Sequence, residues 1–206
     1  PEQVARCIDQ VGIGFMFAPS FHSAMKHAAP IRKEMGVRTI FNILGPLINP
    51  ATAPNQVMGV FHPDLVGIQA RVLKQLGSRH VMIVHGLDGL DEITLSGPTM
   101  IAELKNDHVE EYQIEPAMFG IKSVPTQALR ASDAAESKAI LLAVLDNQPG
   151  PARDIVALNA GAAIYVSGHS ATLKDGISRA FEVLESGAAK QKLDQLAAIS
   201  QSFKSN

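Results

Sequence analysis

The sequence is poor in cysteine, in basic charge and in long apolar runs, and each shortage removes a class of protein. One cysteine, Cys7, in 206 residues excludes an internal disulfide and points to a reducing compartment, with the thiol packed in a core. Lys and Arg number 18 against 20 Asp and Glu, a formal net charge of −2, without the basic clustering that a nucleic-acid surface needs. No nucleic-acid partner is expected. No apolar stretch approaches the length of a membrane span and no signal-peptide pattern opens the chain, so no membrane partner and a soluble cytoplasmic protein are expected. There is no internal repeat, low-complexity tract or linker. The chain is 46% hydrophobic and 18% charged, enough for one sizeable core or two small ones, and it opens at Pro1 rather than Met.

The most informative stretch is VMIVHGLDGLDE, residues 81–92. Val81 to Val84 read as a buried parallel strand, and the chain then breaks into glycines and acids. Gly86 and Gly89 allow a tight loop carrying Asp88, Asp91 and Glu92 at the strand's carboxyl end, where open α/β sheets keep their ligands. Adjacent carboxylates on a strand would face opposite ways. On an irregular loop Asp91 and Glu92 can both turn toward one hard cation, typically Mg²⁺ shared with a phosphate ligand. From the residues alone the pair is either such a site or a solvated polar loop.

Around this stretch the periodicities alternate. Pro1 to Gln10 reads as an amphipathic helix closed by Gly12. Gly12 and Gly14 begin a dinucleotide fingerprint, but Phe17 stands where the third glycine is needed, so that motif is rejected. From Ser20 the pattern is helical, with His22, Met25, Ala29 and Arg32 on one stripe that Pro30 divides between two short helices. His22 and His27, about 140° apart round a helix, cannot share a zinc ion. Gly45-Pro46, Asn49-Pro50 and Pro54-Asn55 are turn signals. Gln56 to Phe61, Pro63 to Leu76 and Arg79 to His85 then form a βαβ unit, whose right-handed crossover makes the strands parallel. A hairpin over Ile101–Leu104 and Val109–Ile114 turns at Asn106-Asp107, and a loop runs to Ser132. The last third is helical. Asp133 with Glu136 caps one helix, Pro151 to Val166 is apolar nearly all round and expected to be buried, Thr172 with Asp175 caps a third helix ending at Gly187, and Ala188 to Phe203 forms an amphipathic tail. The expected fold is α/β, a mixed or parallel sheet flanked by helices. Residues 1–45 are expected in a small all-α piece and 46–206 in the α/β domain.

FAPSFHSAMKHAAPIRKEMGVRTIFNILGPLINPA, HGLDGLDE and LNAGAAIYVSG together resemble the anthranilate phosphoribosyltransferases of tryptophan biosynthesis, over essentially the whole chain. The resemblance implies a nucleoside-phosphorylase-type phosphoribosyltransferase fold and a homodimer. It implies transfer of the phosphoribosyl group from phosphoribosyl pyrophosphate to anthranilate, with Mg²⁺ assisting. Carried onto this sequence, it gives Asp91 and Glu92 as holders of Mg²⁺ on the pyrophosphate and Arg32 as the contact of the anthranilate carboxylate. Ala18, Pro19, His22, Met25 and Gly45 match positions lining the anthranilate channel, and no residue is assigned a catalytic role.

The residue types suit these tasks. A guanidinium can bind a planar carboxylate bidentately and lysine cannot, although Arg32 taken alone also reads as a helix-surface arginine and Arg38 is a second candidate cation. This chain also departs from its relatives. Their Gly-Gly-Asp and Glu-Asn-Ala give way to RASDAAESKA at Arg130–Ala139, so no binding role is assigned there. Their glycine-rich GTGGD phosphate loop and Lys-His-Gly-Asn stretch fall before the point where this chain starts. The expectation is a C-terminal portion lacking that phosphate loop and inactive alone. The alternative readings are a pyrimidine-nucleoside phosphorylase relative, or an inactive fragment of either enzyme.

Overall fold

The computed structural model describes residues 1–21, 34 and 41–203. The chain groups into two compact units, Pro1–Thr52 with Ala189–Asn206, and Ala53–Ala188. This grouping differs from the division expected after residue 45. Two contacts far apart in sequence explain the difference at the C-terminal end: Lys192 Nζ donates to the Val11 carbonyl at 2.7 Å, and the Arg6 guanidinium lies 4.8 Å from the Phe203 ring centroid. Periodicity carries no sign of either.

In the first unit, α1 (Glu2–Val11) buries Cys7 and Val11 and ends at Gly12, whose φ of 85° lets its N–H reach the Ile8 carbonyl at 2.8 Å. The short helices α2 (Ala18–Phe21) and α3 (Phe41–Leu47) follow among the described residues. The turn expected at Gly45-Pro46 is absent: both residues lie inside α3. Proline removes one donor from so short a helix, and the Ile48 N–H still reaches the Leu44 carbonyl at 3.2 Å. Asn49 does make its turn, accepting the Ala51 N–H on Oδ1 and the Thr52 N–H on its carbonyl, both at 3.0 Å. His22, Met25, Ala29, Arg32 and Arg38 lie outside the described residues.

The second unit is a mixed four-stranded sheet flanked by helices, as expected. Its strands are β1 (Asn55–Gly59), β2 (His80–Gly86), β3 (Thr99–Lys105) and β4 (His108–Ile114), in that spatial order. The βαβ unit is there: α4 (Leu65–Gln75) joins β1 to a parallel β2. Pro54-Asn55 does not turn but leads into β1, with the Pro54 carbonyl accepting the Arg79 N–H at 2.7 Å. The β3–β4 hairpin turns at Asn106 and Asp107, whose φ values of 50° and 61° are those of the two-residue turn that matches strand twist. Two 3₁₀ turns, Pro116–Phe119 and Thr126–Leu129, occupy the stretch expected as loop. Helices α5 (Ala134–Leu145), α6 (Pro151–Val166), α7 (Leu173–Glu185) and α8 (Ala188–Ser202) complete the chain, with Asp133 and Thr172 capping α5 and α7 through the N–H groups of Glu136 and Asp175.

Burial follows strand alternation. Met82, Val84 and Ile101 turn to one face and pack with Leu158 and Ala162 of α6 and Ile177 of α7. Val81, Ile83, Ala102 and Leu104 turn to the other, which α4 covers with Val66, Ala70 and Leu73. Helix α6 is buried along a stripe rather than all round, and Val156 remains 40% exposed. On the α6 face one polar knot interrupts the apolar layer. Glu103 accepts hydrogen bonds from the Tyr112 and Tyr165 hydroxyls, both at 2.7 Å, with His80 Nε2 at 2.8 Å and Lys105 Nζ donating to the Tyr165 hydroxyl at 2.9 Å.

Burial pushes the Glu103 carboxyl up, and the hydrogen bonds from Tyr112, Tyr165 and His80, with the His80 charge, outweigh it and hold the carboxyl below its ordinary value. A carboxyl lowered by folding stabilises the fold above its unfolded pKa of about 4.3 and loses that contribution as pH falls through its folded value. Glu103→Gln should therefore weaken the fold at pH 7 and flatten the fall in stability below about pH 4.3. Urea denaturation from pH 7 down to pH 3 checks this, and an acid limb as steep as wild type would contradict it.

Candidate functional site

Strand β2 is buried from Val81 to Gly86, with His85 its one polar side chain there, and the acidic residues follow where it ends. The segment from residue 87 to residue 98 that follows closes on itself. Gly86 N–H donates to the Leu90 carbonyl at 2.8 Å, Gly89 N–H to the Gly86 carbonyl at 2.8 Å and Leu87 N–H to the Pro98 carbonyl at 3.0 Å, with Gly89 at a φ of 92°.

The three acids of this loop have different surroundings. Asp88 Oδ2 accepts hydroxyl hydrogen bonds from Ser96 (2.7 Å), Thr94 (2.9 Å) and Thr126, while Oδ1 accepts the Leu90 N–H at 3.3 Å. Burial pushes this carboxyl up, but the hydrogen bonds from Thr126, Ser96, Thr94 and Leu90 prevail and bring it down to about 2. Asp88 is thus spent on the loop itself. Asp91 and Glu92 are exposed, and among the described residues neither carboxylate has a hydrogen-bond or ion-pair partner. The Glu92 carboxyl is raised, first by desolvation against the loop and then by the charge of Asp91.

Backbone contacts hold this pair. A Cβ on Gly59 would lie 1.6 Å from the Asp91 carbonyl oxygen, so the loop rests directly on the end of β1. On the other side Asn159 of α6 brackets Ile93: Oδ1 accepts the Ile93 N–H and Nδ2 donates to the Ile93 carbonyl, each at 2.9 Å. Sequence reasoning did not single out Gly59, Thr126 or Asn159. Two of them left a trace, since a glycine within a strand marks close backbone approach and an asparagine in an otherwise apolar helical stretch asks for a partner.

The pair fits a hard divalent cation. Its donors are all oxygen, and a cation would relieve both the desolvation and the neighbouring charge of Asp91 that raise Glu92. Among the described residues no group of three or more His, Cys, Asp or Glu is placed to hold a metal, and Mg²⁺ commonly completes its shell with water and phosphate oxygens beside one or two carboxylates.

Of the candidate substrate residues, Gly45 lines a cavity of about 450 Å³ in the first unit, together with Gly14, Met16, Phe21, Pro46, Asn49 and Pro50. Gly14 packs against α1, where a Cβ would come within 2.8 Å of Ile8 Cγ1, so the glycines of the rejected fingerprint serve a helix end and a packing contact. Pro19 falls in α2, while His22 and Arg32 lie outside the described residues.

A mixed sheet between helices, with an acidic loop at the carboxyl end of its parallel strand, defines the class. The model described as "Glycosyl transferase family, a/b domain" matches residues 1–190, and the chain belongs to that family. Within it, the chain is 68% identical over 200 residues to an anthranilate phosphoribosyltransferase from Chromobacterium violaceum, covering 97% of this chain and 58% of the relative. The anthranilate phosphoribosyltransferase structure from Thermus thermophilus matches with a TM-score of 0.90 at 42% identity, covering 97% of this chain and 59% of that one. The Saccharomyces cerevisiae enzyme matches in complex with PRPP and Mg (TM-score 0.87, 29% identity) and with 4-fluoroanthranilate (0.86, 28%), each covering 97% of this chain and 58% of that one. The chain therefore spans somewhat under two thirds of the length of these relatives.

Gly59→Ala must push the Asp91 backbone away. The substitution should cost about 1–3 kcal/mol of stability and shift amide resonances of residues 87–98 more than those of α4. Urea denaturation and a heteronuclear NMR map check this, and unmoved loop resonances would contradict it.

Proposed function

We propose that this chain acts in anthranilate phosphoribosyltransfer, moving the phosphoribosyl group from phosphoribosyl pyrophosphate to the anthranilate amine with release of pyrophosphate, in tryptophan biosynthesis. The observation that carries the reading is the Asp91–Glu92 pair, without a side-chain partner among the described residues and presented on an anchored loop at the end of β2. The name shared by the relatives and the yeast complex with PRPP and Mg support it.

In the reaction the bond from the ribose anomeric carbon to a pyrophosphate oxygen breaks, a bond to the amine nitrogen forms, and the amine releases a proton. When bound, Mg²⁺ would supply positive charge against the charge that develops on the departing pyrophosphate. Asp91 and Glu92 would hold it, two adjacent carboxylates offering the oxygen donors that a hard cation takes. The aromatic amine is neutral and nucleophilic, so the protein's task is to orient it and exclude water, without a dedicated base. Arg32 binds the anthranilate carboxylate through its planar fork. By the family resemblance Pro19, His22 and Gly45 belong to the anthranilate site, and the apolar side chains of Met16 and Phe21 in the Gly45 cavity suit a flat ring. A homodimer and a cytoplasmic location belong to the same proposal and rest on the family resemblance. Among the described residues no helix is long and apolar enough to cross a membrane.

Two variants test this, made in a chain of the relatives' full length. Asp91→Asn with Glu92→Gln should lower turnover at limiting Mg²⁺ by about tenfold or more, an effect that excess Mg²⁺ partly restores; near-normal rates at limiting Mg²⁺ would refute the metal role. Arg32→Lys should raise KM for anthranilate about tenfold or more, and far more than KM for phosphoribosyl pyrophosphate, because a bidentate contact worth about 1.5–3 kcal/mol is lost. Equal weakening of both substrates would remove Arg32 from the anthranilate site. Turnover of thymidine with phosphate, rather than anthranilate with phosphoribosyl pyrophosphate, would select the phosphorylase reading.

A further inference from the structure

The two carboxylates proposed to hold Mg²⁺ have no side-chain partner among the described residues, and the backbone that carries them sets how they leave the loop. That backbone is fixed on both sides. Three residues before Asp91, Asp88 gathers the Thr94, Ser96 and Thr126 hydroxyls and the Leu90 N–H. Directly after Glu92, the Ile93 side chain is 1% exposed within the apolar layer formed with Leu158 and Ala162. Packing holds the position of Ile93 but leaves the rotation of its peptide groups undetermined, and both need hydrogen-bond partners once buried. Asn159 supplies both, and its Nδ2 also donates to the Ile155 carbonyl of its own helix at 3.0 Å, which locks the carboxamide. Only one orientation of the amide satisfies the set, because one N–H needs an acceptor and two carbonyls need donors.

We propose that Asn159 is a positioning residue for the Asp91–Glu92 pair: by bracketing the Ile93 backbone from α6 it fixes how the two carboxylates leave the loop, and so the affinity of the pair for a divalent cation bound to pyrophosphate. The inference rests on the metal reading given above. Asn159 touches neither carboxylate and acts only through the peptide that follows Glu92. Aspartate at this position would keep an acceptor for the Ile93 N–H and set oxygens against the Ile93 and Ile155 carbonyls, losing two of the three bonds at unchanged volume.

The test compares wild type, Asn159→Asp, Asn159→Ala and the Asp91→Asn/Glu92→Gln double variant. Mn²⁺ binding in the presence of pyrophosphate is followed by electron paramagnetic resonance, and amide hydrogen exchange by NMR. In wild type the Ile93 amide should be strongly protected; free exchange there would overturn the proposal without any variant being made. In both Asn159 variants exchange at Ile93 should accelerate at least tenfold while the amides of Met82 to Val84 keep their protection, and Mn²⁺ affinity should fall by about 10- to 100-fold. If the double variant loses Mn²⁺ binding but the Asn159 variants bind like wild type, the inference fails and the metal reading stands. Uniform acceleration of the β2 amides, with Mn²⁺ affinity falling only in step with global stability, would reduce Asn159 to a structural role and also overturn it. Equal Mn²⁺ affinity in the double variant and wild type would overturn the metal reading, and this inference with it.

Discussion

Burial of β2 on both faces is the constraint from which the rest of the α/β unit follows. A strand covered by α4 on one side and by α6 and α7 on the other has no room for charge, so its residues are Val, Met and Ile, and His85 tolerates burial by donating Nδ1–H to the Val60 carbonyl at 2.7 Å. Apart from His80 at its start and the hydrogen-bonded His85, the polar groups on this line of the chain come after the strand. The chain leaves the sheet at Gly86, and the carboxyl end of the parallel pair becomes the place where acids can stand near a ligand.

Within that loop the same chemical group has two opposite fates, and the surroundings decide which. Asp88 is ringed by three hydroxyls and an N–H, which makes its ionised form the stable one and its charge unavailable to anything else. Asp91 and Glu92 receive no such donors among the described residues. Desolvation and the neighbouring charge of Asp91 raise Glu92, the opposite of what the hydroxyls do to Asp88. Glu103, near the other end of β2, resembles Asp88: Tyr112, Tyr165 and His80 satisfy it, and the network fastens α6 to the sheet without offering a site.

Rigidity of the acidic loop comes from packing more than from its own sequence. It lies on β1 at Gly59, where no other residue leaves space for the Asp91 carbonyl, and it is clasped by Asn159, 66 residues further along the chain. Such a loop presents two carboxylates at little entropic cost on ligand binding, because its backbone is already ordered.

Local pattern alone specified much of this protein. Helix α6 begins at Pro151 and ends at Val166 where its apolar run does, α1 stops at Gly12, the hairpin turns at Asn106-Asp107, and Asp133 and Thr172 cap their helices, because caps, turns and periodicity act between residues a few positions apart. The parallel pairing of β1 with β2 followed from the handedness of one crossover, and the acidic pair could be placed at its end from the glycines around it. Other features depended on contacts remote in sequence. Gly45-Pro46 reads as a turn by composition yet lies inside α3, the last helix reads as a tail of the α/β domain yet groups with the first unit through Val11 and Arg6, and neither Gly59 nor Asn159 declares what it holds. Residue types and spacing determine which chemistry a segment can carry, whereas which peptide a side chain reaches across the fold is decided only when the sheet and helices close around β2.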